Sequence, residues 1–92
     1  MISNHFNELS EDHRGRLEWM CRRGMLELDS ILQNFLIQGY NGLSQREKHS
    51  FRTLLMESDQ NLLEWLIFAQ KPHTKVYAHV IRKIRNAFKP ED

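Results

Sequence analysis

The segment Arg22-Arg23-Gly24-Met25-Leu26-Glu27-Leu28-Asp29 places two guanidinium groups, a residue without a Cβ and two carboxylates within eight positions. Such a cluster forms ion pairs and directional hydrogen bonds; it does not break covalent bonds. The two arginines fall at the C-terminal end of one predicted helix, where the helix dipole favours cations. Glu27 falls in the first turn of the next helix, where a carboxylate is favoured. Gly24 lets another backbone come close. Two readings follow. One is a helix-capping corner with a local Arg23–Glu27 ion pair, contributing ~0–1 kcal/mol if exposed. The other is a docking patch, with Gly24 as the flat approach and the charges fixing orientation. Physics alone leaves them level.

Other reactive residue types are scattered. The five histidines are His5, His13, His49, His73 and His79. No two stand at i, i+4 on one predicted helix, the spacing a helical metal site uses, so they read as surface residues. Cys21, the single cysteine, cannot build an internal disulfide or a cysteine-based zinc site. It leans to an apolar face and reads as a small buried residue. No GxSxG, P-loop, GxGxxG or HExxH is present, so neither hydrolase nor dinucleotide-binding chemistry has a signature here.

The chain has 92 residues and a formal net charge of +1. That balance argues against a nucleic-acid binder, which carries a strong basic excess. Locally the charge is uneven: from Lys71 to Pro90 there are six basic residues and no acid. Lys75, Arg82, Lys83 and Arg85 could contact phosphates, but with little aromatic interleaving a solvated face is the better reading. No apolar run reaches the ~18–20 residues of a membrane span. The N-terminal residues lack the pattern of a secretory signal or an Arg-rich presequence. The expectation is a cytoplasmic protein with a single helical domain over 1–92, core about 9–88.

The elements that position these residues are helical. The first is expected after Ser10, an N-cap followed by Glu11 and Asp12, running to about Arg22 with Leu17, Met20 and Cys21 inward. Gly24 breaks it. From Met25 to Gln38, Leu28, Ile31, Leu32, Phe35 and Leu36 form one stripe. Residues 39–42 make a turn, and Ser44 and Glu47 form a capping box. The third helix is expected to reach Glu57, with Phe51, Leu54 and Leu55 inward. A fourth, capped by Ser58 or Asp59, carries Leu62, Leu63, Leu66 and Ala69, and Pro72 ends it. The fifth spans Thr74 to Phe88, with Tyr77, Val80, Ile81, Ile84 and Phe88 on one face; Lys89 to Asp92 are a tail. This predicts an all-α fold, a compact bundle of about five short helices.

One stretch is specific enough to carry a resemblance. Arg16-x-x-Trp19-x-Cys21-Arg22-Arg23-Gly24-Met25-x-Glu27-Leu28-Asp29 resembles the signature of the succinate dehydrogenase assembly factor family. Its bacterial members are called SdhE or FAD assembly factor, some with the older label antitoxin CptB. The hallmark Arg-Gly-x-x-Glu is met by Arg23, Gly24 and Glu27. A second matching stretch runs from Ser44 to Gln60, then Leu62, Leu63, Trp65 and Leu66, to Lys71-Pro72. Together they cover about residues 9 to 88.

The resemblance implies a compact helical protein that binds the flavoprotein subunit of succinate dehydrogenase, and in some bacteria that of fumarate reductase. It implies promotion of covalent FAD attachment, with FAD the cofactor of the partner and none bound stably here. The bond-forming chemistry then belongs to the flavoprotein, so the chain is expected not to be an enzyme, and a monomer is the default. The family's docking role carries over to Arg16, Arg23, Gly24 and Glu27, with Trp19, Arg22, Met25 and Asp29 as further contributors. Glu27 would accept from the partner or hold Arg23 in place. Competing readings are a regulatory, antitoxin-like adaptor for another protein, a nucleic-acid binder using the last helix, and an FAD-binding protein, which no fingerprint supports.

Overall fold

The computed structural model describes residues 14–72 and 74–88. The expected Ser10 cap, the tail from Lys89, and His5, His13 and His73 lie outside them. Residues 14–20 are helical (α1). Next come α2 (Leu26–Gln38), a 3-10 turn (Tyr40–Gly42), α3 (Gln45–Leu54), α4 (Asp59–Leu62), a π-helical turn (Leu63–Ile67) and α5 (Ala78–Phe88). No strand occurs among the described residues. The all-α expectation holds.

Periodicity decides the packing. The predicted stripe of α2 is buried in full: Leu28, Ile31, Leu32, Phe35 and Leu36. It packs chiefly on α5, which contributes Val80, Ile81 and Ile84. Phe51 of α3 meets Phe35 and Tyr40, each with ring centroids 5.5 Å away. Trp65 and Tyr77 join the π turn to the chain before α5, at 5.7 Å. Gly39 closes α2 under the Phe35 ring; a Cβ there would lie 2.5 Å from Phe35 Cε1. The capping box forms as predicted: Glu47 N–H donates to Ser44 Oγ (3.1 Å) and Ser44 N–H to Glu47 Oε1 (2.8 Å). Ser58, not Asp59, caps α4 by accepting from Asn61 N–H.

Helix ends depart from expectation. Helix α1 stops at Met20 rather than Arg22, and α3 at Leu54 rather than Glu57. In α3 the cause is a tightened last turn, where Met56 and Glu57 N–H donate to the Thr53 and Leu54 carbonyls. Pro72 does not end the fourth helix. The chain widens into the π turn, with Phe68 N–H donating to the Leu63 carbonyl (3.1 Å). Ala69 then takes the left-handed conformation, φ 60°, which commonly ends helices. Ala69 is therefore exposed and Leu63 half-buried, while Trp65 is buried. Helix α5 begins at Ala78, after a turn in which Ala78 N–H donates to the Lys75 carbonyl. Phe88 remains 40% exposed.

Candidate functional site: the Gly24 corner

Gly24 sits between α1 and α2 with φ +82°. Every residue except glycine is disfavoured there because its Cβ crowds the following carbonyl. No atom would lie within 4 Å of a Cβ added at Gly24, so the space above it is open. The corner is a backbone turn facing outward.

Arg23 braces it from within. Its side chain is only 14% exposed. Nη1 donates to the Met20 and Leu55 carbonyls, 2.9 Å each, and Nη2 to the Glu57 carbonyl at 2.7 Å. Nε donates to Asp59 Oδ1 at 2.7 Å. One guanidinium thus satisfies the carbonyl ends of α1 and of the α3–α4 loop, which helix termini leave unpaired. The proposed Arg23–Glu27 pair does not form, and Glu27 does not hold Arg23. Glu27 is exposed and has no ion pair among the described residues.

Asp29 braces the other side. Its carboxylate accepts from Arg23 N–H (Oδ1, 2.6 Å) and Gly24 N–H (Oδ2, 3.2 Å). Met25, extended just before α2, is half-buried against the core. Of the eight candidate residues, Arg23, Met25 and Asp29 turn inward to shape the corner. Arg16, Trp19, Arg22, Gly24 and Glu27 are exposed, with Trp19 at 73%.

Two residues escaped the sequence reading. Asp59 anchors Arg23 and was seen only as a possible cap. Leu26, 88% exposed, adds apolar surface beside Gly24. Its signal was present: it lies off the α2 stripe, so the periodicity that buries Leu28 leaves Leu26 outside. Arg22 also lines a shallow cleft of about 110 Å³ with Glu18 and Ile37.

The thiol nearest the corner is held in its unreactive form. Cys21, fully buried beside it, has its thiol pushed up by burial to about 12, far from the thiolate a nucleophile needs. No cluster of three metal-ligating side chains occurs among the described residues.

Fold and corner define a small all-helical protein with an exposed turn flanked by charged and apolar side chains. Residues 15–88 match the family model described as the flavinator of succinate dehydrogenase. The FAD assembly factor SdhE of Coxiella burnetii is 39% identical over 70 residues, 76% of this chain and 85% of that protein. That of Idiomarina loihiensis is 43% identical over 75 residues, 82% of each chain. That of Photobacterium profundum is 38% identical over 76 residues, 83% of this chain and 86% of its own. The chain belongs to this family of succinate dehydrogenase flavinators.

Proposed function

We propose that this chain is an assembly factor that binds the flavoprotein subunit of succinate dehydrogenase, and that of fumarate reductase where one exists, and promotes covalent attachment of FAD. It acts in the cytoplasm as a monomeric chaperone. The bond forms between the flavoprotein and its own cofactor. The factor binds one conformation of the subunit better than the others and so raises its population.

The observation that supports this reading is the outward Gly24 turn, held rigid by Arg23 and Asp29. Arg16, Trp19, Arg22, Leu26 and Glu27 surround it as the contact set. Aromatic and arginine side chains carry most of the energy in protein interfaces, and Trp19 and Arg22 are of that kind. A preformed surface loses less entropy on binding than a mobile one.

The test is covalent flavin on the subunit, read as fluorescence in a denaturing gel. Cells lacking the chain should lose the signal. The wild-type chain should restore it, and the Glu27→Ala variant should not. Undiminished fluorescence without the chain, together with failure of the chain to capture the subunit, overturns the reading.

A further inference from the structure

A second surface shares no residue with the Gly24 corner. The segment after the π turn runs alongside α5 and leaves a groove of about 410 Å³. Lys71, Lys75, Arg82 and Arg85 line it together with the less exposed Ala78 and Ile81. All four cations are exposed. We infer that this groove receives an acidic segment of the flavoprotein, one that carries apolar side chains among its carboxylates. The inference rests on the function proposed above.

Charge is the first argument. Among the described residues no acid lines the groove, and none occurs in sequence from Lys71 to Pro90. Among the described residues these four cations have no ion-pair partner. Lys83, on the same helix, differs: its Nζ lies 2.9 Å from Glu47 of α3, so its charge serves the fold. Arg82 and Arg85 stand three apart on one helix and repel each other. A carboxylate between them relieves that repulsion and can accept a forked pair of hydrogen bonds.

The lining is the second argument, and it favours a peptide over a single-stranded nucleic acid. Single-stranded nucleic acids are held by cations together with aromatic faces on which bases stack. Among the described residues no aromatic side chain lines this groove. Its less exposed part, Ala78 and Ile81, is aliphatic, which suits an apolar side chain among carboxylates.

The backbone gives the groove its shape. Ala69 takes the left-handed conformation, φ 60°, which a residue with a Cβ rarely adopts. Gln70 N–H donates to the Glu64 carbonyl at 2.8 Å, one residue beyond the usual helix-ending bond. This turn directs the following residues along α5.

The experiment measures binding of the purified flavoprotein subunit to the full chain at low and high salt. The double variant Arg82→Glu with Arg85→Glu should bind about tenfold or more weakly at low salt, with the gap narrowing as salt screens the charges. Arg82→Lys with Arg85→Lys, which keeps both charges but loses the forked donors, should weaken binding less than the charge reversal does, and circular dichroism should show all three proteins equally helical. Charge-reversed protein that binds within twofold of wild type overturns the inference and leaves the proposed function standing. A wild-type chain that does not bind the subunit at all overturns both, and does so before any groove variant is compared. Inorganic diphosphate and a single-stranded oligonucleotide are the competing probes. Tight binding of either, lost in the charge-reversed variant while flavoprotein binding is unchanged, assigns the groove to phosphate and overturns the peptide reading.

Discussion

Arg23 Nε lies 2.7 Å from Asp59 Oδ1, joining two points 36 residues apart in the chain. The same guanidinium holds the Met20, Leu55 and Glu57 carbonyls. Arg23 is thus first a clamp between the α1 end and the α3–α4 loop. Arg23→Ala leaves three carbonyls and a carboxylate without their donor. Hydrogen bonds to charged groups contribute about 1.5–3 kcal/mol each but are not additive, so a total loss of about 2–4 kcal/mol is expected. For a chain of this size that lowers the melting temperature by about 10–20 °C. Arg23→Lys should rescue little, because an ammonium cannot present a planar fork to four acceptors. A thermal melt decides it, and an Arg23→Ala protein melting within a few degrees of wild type removes the clamp.

Glu27 should behave in the opposite way. It is exposed and has no ion pair among the described residues, so Glu27→Ala should change stability by less than about 0.5 kcal/mol. Flavinylation of the subunit should nevertheless fail. Gly24→Arg falls between the two. Its side chain has open space, but φ +82° makes any L residue cost about 1–2 kcal/mol. Gly24→Asn, which tolerates this conformation, should melt closer to wild type and separate strain from blocked docking. Measuring melts and covalent flavin on the same three proteins tests the division of labour. A Glu27→Ala protein with normal flavinylation breaks it.

This division explains what was legible in the sequence. The α2 stripe and the Ser44–Glu47 box are local, set by spacings of three and four residues, and both stand as read. Gly24 was also legible, because a glycine at a break in periodicity predicts a turn. The partners of Arg23 were not. Leu55, Glu57 and Asp59 lie 32 to 36 residues away, and nothing in the local spacing favours them over Glu27. The end of the fourth helix was misread for a similar reason. Its widened turn accompanies burial of Trp65 against Tyr77, a tertiary contact that local spacing does not show, and the chain leaves the helix before Pro72. The motif's position was readable, whereas the roles within it depended on distant chain.

Acid should weaken the α3–α5 contact through one carboxylate. Glu47 accepts from Ser44 N–H and meets Lys83 and His79, at 2.9 Å and 2.6 Å. The Ser44 backbone hydrogen bond first, then the Lys83 contact, lower its pKa from 4.5 to about 2. A depressed folded-state pKa means the unfolded chain takes up the proton first. The contribution is complete above about pH 5 and is lost as pH falls from 4.5 towards 2. Glu47→Gln should flatten the stability profile in that window. Denaturant midpoints at pH 6, 4 and 2.5 for both proteins check it, and parallel profiles would clear Glu47 of the effect.

Cys21 should report on unfolding. Its side chain is 0% exposed, and burial raises its pKa from 9.0 to about 12 despite the opposing influence of Arg23. At pH 8 the folded chain therefore holds far less thiolate than a free cysteine, and the thiolate is the reactive form. Iodoacetamide should label the denatured chain within minutes and leave the folded chain almost untouched. Because the folded-state pKa is raised, this thiol's contribution is complete below pH 9 and falls as pH rises from 9 towards 12, where only the unfolded chain releases its proton. The Arg23→Ala protein should label faster at pH 8, because a less stable chain opens more often. Equal labelling of folded and denatured wild-type chain would mean that the thiol is reachable at the α1 end, and that the corner is looser than its hydrogen bonds imply.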